Sequence, residues 1–372
     1  MTFPNTSFSR PPLDLPPNEF RKRTNLLMAW QCQQKLDNVL IVGDINRYYF
    51  TGLQTSNGVL LSNRKTGPSF YTDSRYLTMA RQGAPWLPVH ELWTPLQEAD
   101  VLSGLGSSWR RVGFEGTLAT KRFLPLQKAL PQVDWVDLSQ EIAAIRAVKS
   151  PAEQQAVRQA IAANDALFND LLTQLHPGLS EWQIRTFVRQ AADCYGQGEA
   201  FDTIACVGRY AAEPHHHPNE TVLKRGQPLL LDLGLKLNHY CADMTRCVTF
   251  GSPSTLFREL HQIVLEANQQ AVRAIRPGLP CHAIDAIART HIANAGFGKY
   301  FTHSLGHGVG LEIHEGPTLS PTCATVLTPG MIVTVEPGIY LPGRLGIRIE
   351  DVVRVTQDGA EVLTQTPHTL TL

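Results

Sequence analysis

The chain has 372 residues, 43% hydrophobic and 18% charged, with 33 basic and 33 acidic residues and a formal net charge of zero. That length holds roughly two domains, each able to bury a core. The balanced charge supplies no electrostatic reason to expect a nucleic acid or an anionic membrane as partner. Seven cysteines (32, 194, 206, 241, 247, 281 and 323) include no CxxC pair, which fits reduced, packed thiols rather than a disulfide frame or a zinc ribbon. The opening "MTFPNTSFSRPPLDLPPNEF" has no apolar stretch flanked by positive charge, and no run approaches the roughly 18 apolar residues of a membrane span. The expectation is a soluble, cytoplasmic, globular protein.

In chain order, the first 17 residues carry five prolines and read as an extended arm. From Asn18 to Ala147, helical stretches at 18–32, 73–82 and 120–130 alternate with strand-like runs "VLIVG", "GVLLSN", "SFYT" and "RRVGFEG". This alternation predicts an α/β domain. "KSPAEQQAVRQAIAANDALFNDLLTQLHPG" then opens a long helix. Ser150 is the expected N-cap, Pro151 suits the first helical position and Glu153 completes a capping box. Val157, Ile161, Phe168, Leu172 and Leu175 form its apolar stripe, and Pro177-Gly178 ends it. The boundary falls near residue 148, dividing the chain into an arm (1–17), a first domain (18–147) and a second (148–372).

The second domain reads as a duplication. "HPGLSEWQIRTFVRQAADCYGQG" (176–198) and "RPGLPCHAIDAIARTHIANAGFG" (276–298) share Pro-Gly-Leu, an isoleucine and two glycines at an offset of 100. "RGQPLLLDLGLKL" and "TPGMIVTVEPGIYL" align Gly226 with Gly330, Asp232 with Glu336 and Gly234 with Gly338, at an offset of 104. Each half therefore sets a carboxylate inside an apolar strand. An ionised carboxylate there is costly unless paired or bound to a metal.

Asp243, in "HYCADMTRCVTF", and Glu350, in "GIRIEDVVRV", extend the pattern. Asp232 and Asp243 become cross-strand partners if the turn centres between Leu237 and Asn238. Glu336 and Glu350 do so if it centres on Gly343. Each ribbon then presents two carboxylates on one face, where only cations relieve their repulsion. A salt bridge from Arg246 to Asp243 is the ordinary alternative. The stretch "HSLGHGVGLEIHE" (303–315) adds three histidines. His303 and His307 have the spacing of zinc ligands on a helix. Gly306, Gly308 and Gly310 disfavour a helix, so the stretch reads as a loop or strand edge closing on something small. Four carboxylates and an imidazole suit a pair of divalent ions of the Mn, Co or Zn kind, and metal-assisted hydrolysis.

"LLLDLGLKLNHYCADMTRCVTFG", "HSLGHGVGLEIHEGP", "VEPGIY" and "IRIEDVV" resemble, in order and spacing, the motifs of the creatinase/methionine-aminopeptidase superfamily. The likeness is greatest to its Xaa-Pro aminopeptidase and Xaa-Pro dipeptidase (prolidase) branch. The resemblance implies an α/β (α+β) protein: a creatinase-like N-terminal α/β domain followed by a pita-bread catalytic domain with internal pseudo-two-fold symmetry. It implies two divalent metal ions per chain, manganese first among the candidates, held by Asp232, Asp243, His307, Glu336 and Glu350. Glu336 would also help deprotonate the attacking water. His303 and His314 would contact substrate and the developing oxyanion, and His215, in "EPHHHP", would line the proline pocket. Tyr340 and Arg348 would orient the acids. "YYFTGLQTSNGVLL" and "FYTDSRY" resemble the family's first domain, which caps the site in relatives, often across a dimer interface. Asp73 and Arg75 there would position a loop or an interface, or Asp73 would cap a helix. The implied activity is aminopeptidase cleavage of Xaa-Pro bonds in peptides, with a homodimer expected and neither nucleic acid nor membrane as partner. The alternatives are an Xaa-Pro dipeptidase and a non-catalytic peptide-binding member of the fold. Methionine aminopeptidase shares the ligands but generally lacks such a first domain.

Overall fold

Short apolar runs separated by turn residues build one sheet in the first part of the chain. The computed structural model describes residues 15–92, 108–368 and 370–371; the proline-rich arm up to residue 14 lies outside them. The chain divides into two compact units, Leu15–Ala143 and the residues from Ala144 onward.

The first unit runs α1 (Pro17–Gln33), β1 (Asn38–Ile41), α2 (Asp44–Thr51), β2 (Val59–Asn63), β3 (Gly67–Thr72), α3 (Leu77–Gly83), β4 (Val89–Glu91), β5 (Arg111–Phe114), α4 (Thr120–Ala129) and β6 (Asp134–Asp137), with α5 (Ser139–Ala147) following. Its six strands form one mixed sheet in the order β4-β3-β2-β1-β5-β6. Val39, Leu40 and Ile41 of the central strand are fully buried. The helix expected over 73–82 begins only at Leu77. Asp73 is the reason: its carboxylate takes the backbone N–H of Arg75 at 3.1 Å and the Arg75 guanidinium at 2.9 and 2.8 Å. The Asp side chain thus closes a local turn instead of capping the helix. The Arg75 hydrogen bonds hold the Asp73 carboxyl at about 2, well below the usual carboxylate range. Helices α2 and α5 are elements the sequence pattern did not single out.

The second unit contains α6 (Pro151–Gln174), α7 (Glu181–Tyr195), β7 (Ile204–Val207), β8 (Pro228–Leu233), β9 (Lys236–Leu237), β10 (Tyr240–Cys241), β11 (Met244–Thr249), α8 (Thr255–Ala274) and α9 (Cys281–Asn294). It continues with β12 (Gly306–Gly308), β13 (Glu315–Leu319), β14 (Ile332–Val335), β15 (Gly338–Leu341), β16 (Leu345–Arg348), β17 (Asp351–Val355), β18 (Ala360–Val362) and β19 (Leu370–Thr371). At the start of α6, Ser150 and Glu153 form the reciprocal capping box. All seven cysteines are free. No helix among the described residues is long and apolar enough to cross a membrane.

The two halves of this unit repeat one another in detail. Gly178 and Gly278, both at positive φ, follow α6 and α8. Their N–H groups donate to Leu223 and Leu327 at 2.9 and 3.0 Å. Asn164 of α6 and Asn268 of α8 each donate a side-chain amide to a strand carbonyl, Leu233 and Val335. Antiparallel pairs β8/β11 and β14/β17 occupy matching places, each pair carrying acids at the end nearest its turn.

The registers correct one expectation and match the other. Leu237 faces Tyr240, so the first turn centres between Asn238 and His239, one residue later than expected. Both turn residues take positive φ, 52° and 66°, as a two-residue hairpin loop requires. Asp232 therefore faces Thr245, not Asp243. The shift moves every partner by two residues, which keeps the same face of the ribbon, and the acids still converge. In the second ribbon the turn centres on Gly343 at φ 68°. Gly338 faces Arg348 and Val335 faces Asp351, so the register places Glu336 opposite Glu350.

Candidate metal centre

Glycines bring the histidine segment against the acid-bearing strands. The stretch 303–315 is mostly loop around the short strand β12, which pairs with β13 on one side and β14 on the other, with an irregularity between His307 and Gly308 where β12 meets β13. A Cβ on Gly306 would sit 2.1 Å from the Thr334 carbonyl oxygen, and one on Gly308 2.2 Å from that of Gly316. Any larger residue would push His307 away from the acids, so the segment depends on close backbone approach.

Single ligand atoms of Asp243, His307 and Glu350 lie within 4.8 Å of one another. His307 Nε2 stands 3.6 Å from Asp243 Oδ2 and 3.3 Å from Glu336 Oε1. Its Nδ1 is 3.1 Å from the Gly308 carbonyl, a bond that turns Nε2 toward the acids. Asp232 approaches from β8. One of its oxygens is bonded to Arg348, while Oδ1 is buried with no hydrogen-bond partner. Thr245, facing Asp232 across the ribbon, donates to Glu350 at 2.8 Å and accepts from Arg348 Nε at 3.1 Å. Arg348 also donates to the Tyr340 hydroxyl at 2.9 Å, and that hydroxyl lies 2.9 Å from His303 Nε2. His303 Nδ1 is 2.7 Å from the Ser304 carbonyl, so both of its ring nitrogens are engaged. The rings of His307 and His314 meet edge-on at 4.4 Å.

The electrostatics mark a site built for positive charge. Burial, then the charges of neighbouring acids, pushes Asp243 and Glu350 well above the usual carboxylate range, and Asp232 is raised mainly by burial. Burial also pushes Glu336 upward, but the hydrogen bond and charge of His307 outweigh it and hold Glu336 below its ordinary value. Burial alone would lower His307, yet Glu336 and Asp243 raise it to about 9. Repelling acids, an imidazole among them and an unpartnered Asp232 oxygen fit divalent cations, which would supply what the protein groups lack. These residues could hold such ions.

A cavity of about 690 Å³ opens onto the acids and is also lined by His215, His303 and His314. The three successive histidines all line the cavity, and His217, like His215, is exposed. His216 is buried, 2.8 Å from Glu181 and 2.9 Å from Glu213, while His215 is exposed on the cavity wall. The motifs gave no reason to single out Thr245, Trp182, Arg185 or Asp202, although the last three also line the cavity. Thr245 was hidden by the one-residue error in the turn. Trp182 and Arg185, three apart at the start of α7, lie on one helix face.

Residues 155–357 match the model of metallopeptidase family M24, and residues 23–148 match that of the creatinase/prolidase N-terminal domain. The Xaa-Pro dipeptidase of Pyrococcus furiosus is 33% identical over 351 residues, covering 94% of this chain and 99% of that protein. The crystal structure of an X-Pro aminopeptidase from Thermotoga maritima superposes with a TM-score of 0.86 at 32% identity, covering 94% of this chain and 100% of that one. An Xaa-Pro dipeptidase from Bacillus anthracis reaches 0.89 at 34% identity, over 95% and 100%. With a family match over more than half its length and relatives alike from end to end, the chain belongs to metallopeptidase family M24 and carries a creatinase/prolidase N-terminal domain.

Proposed function

We propose that this protein is an aminopeptidase that hydrolyses the Xaa-Pro bond at the N-terminus of peptides, using two divalent ions held by Asp232, Asp243, His307, Glu336 and Glu350. The observation that carries the reading is the convergence of buried acids and His307 on one wall of an open cavity. Such ions lower the pKa of water and stabilise charge on a tetrahedral intermediate. Manganese is the first candidate, with cobalt and zinc as alternatives. Proline calls for a dedicated enzyme because it lacks the N–H that general peptidases grip.

The chain's own groups then divide the work. Glu336, on the cavity wall with its Oε1 3.3 Å from His307 Nε2, takes the proton of the attacking water. His314 donates to the oxyanion, and His303 stands at the substrate, positioned by Tyr340. Arg348 and Tyr340 fix the acids, and His215 lines the proline pocket. The division at 1–17, 18–147 and 148–372, a homodimeric assembly and a cytoplasmic location complete the reading.

The second reading is a dipeptidase specific for Xaa-Pro, which the names of the Pyrococcus and Bacillus relatives favour. A dipeptidase must grip the proline carboxylate, and arginine is its natural partner. No Lys or Arg occurs between Lys299 and Arg344, and Arg348 is buried and already bonded to Asp232, Tyr340 and Thr245. Xaa-Pro-Yaa tripeptides are therefore expected to be cut with higher kcat/KM than Xaa-Pro dipeptides sharing the same first residue. Steady-state kinetics on both series decides, and a clear dipeptide preference would make the protein a prolidase.

A further inference from the structure

We propose that Arg185 and Trp182 form a subsite for the C-terminal carboxylate of short peptides, two residues beyond the scissile bond. The inference rests on the peptidase reading above and adds a residue that sets substrate length.

Among the described residues lining the cavity, Arg185 and Arg348 are the permanent cations. Arg348 is buried and its donors are spent on Asp232, Tyr340, Thr245 and the Pro214 carbonyl. Arg185 is held differently. One guanidinium nitrogen donates to Asp202 at 2.7 Å, and the group lies 5.3 Å from the centre of the Trp182 ring. Asp202 is 80% exposed on its side chain, whereas Arg185 is 17% exposed. A pair with one partner so open to water is weak and exchangeable. Asp202 aims the guanidinium while leaving other donors of its fork for an incoming carboxylate. Trp182, 48% exposed, lines the same cavity wall and would pack against the last side chain of the peptide.

The placement sets the length. Ile204 is the cross-strand partner of Asp232, and Asp202 precedes Ile204 by two residues. Two residues of chain span at most about 7 Å. With the cross-strand spacing of about 5 Å between Ile204 and Asp232 added, Asp202 lies at most about 12 Å from the acid-bearing strand, within reach of an Xaa-Pro-Yaa carboxylate two residues past the scissile carbonyl. A dipeptide would end one residue short of Arg185, and a longer peptide would run past it with an uncharged amide where the carboxylate should be.

The test is the ratio of kcat/KM for Xaa-Pro-Yaa as the free acid to that for the same peptide as its C-terminal amide, measured on the metal-loaded, full-length protein. The wild type is expected to prefer the acid about 10- to 100-fold, the scale of a charge-assisted contact. Arg185→Gln should bring the ratio to about one, and Arg185→Lys should keep part of the preference. A structural role for Arg185 would lower both substrates equally and leave the ratio at its wild-type value, which overturns the subsite. A wild type that cuts acid and amide equally well overturns it too, with the peptidase reading intact. A wild type that cuts neither overturns both.

Discussion

Asp243→Asn is expected to lose divalent ions and peptide hydrolysis together. Asp243 is buried beside His307 and Glu350, and its ligand atom lies within 4.8 Å of theirs. In the proposed site Asp243 would help hold the ions, so an amide, lacking the charge and the second anionic oxygen, would weaken their binding. Changing a group one layer further out from a metal typically costs about 10- to 100-fold in affinity or activity. A residue that would contact the ions directly should exceed that, so activity should fall by on the order of 100-fold or more. Metal analysis after gel filtration, alongside kinetics, checks this. Wild-type metal content in the variant would remove Asp243 from the ligand set.

His314→Ala is expected to leave metal content unchanged and to lower kcat by about 100- to 1,000-fold, the usual effect of removing an oxyanion donor. His314 sits in the cavity wall edge-on to His307, close enough to reach substrate without lying in the acid cluster. Because the charge it stabilises exists only in the transition state, kcat should fall far more than KM rises. Metal loss in His314→Ala with retention in His307→Ala would reverse the assignment of the two histidines.

The acids were legible in the sequence because burying a carboxylate in an apolar strand is too costly to be incidental. Asp232 and Glu336 stood out in "LLLDL" and "VTVEP" for that reason, and Gly343 fixed the second ribbon's register. The first ribbon's register was less legible, since its turn sets Asn238 and His239 at positive φ, a weaker signal than the glycine that marks the second turn. That error concealed Thr245, whose hydroxyl ties Glu350 to Arg348. Similarly, Asp73 looked like a helix cap, but its contacts with Arg75 delay the helix by a turn. Arg185 and Trp182 lay within the repeat at 176–198 but not among its shared positions; only folding brings the start of α7 to the cavity that the acids line. Chemistry carried by strands and glycines was readable, while chemistry assembled from distant helices was not.

Hydrolysis is expected to depend on divalent ions at the acid cluster. Metal analysis of reconstituted protein, followed by Xaa-Pro-Yaa hydrolysis after exhaustive chelation and after metal is returned, tests it most directly. More than one equivalent of metal per chain is expected, with loss of activity on chelation and recovery on addition of manganese, cobalt or zinc. Full activity surviving exhaustive chelation would contradict it.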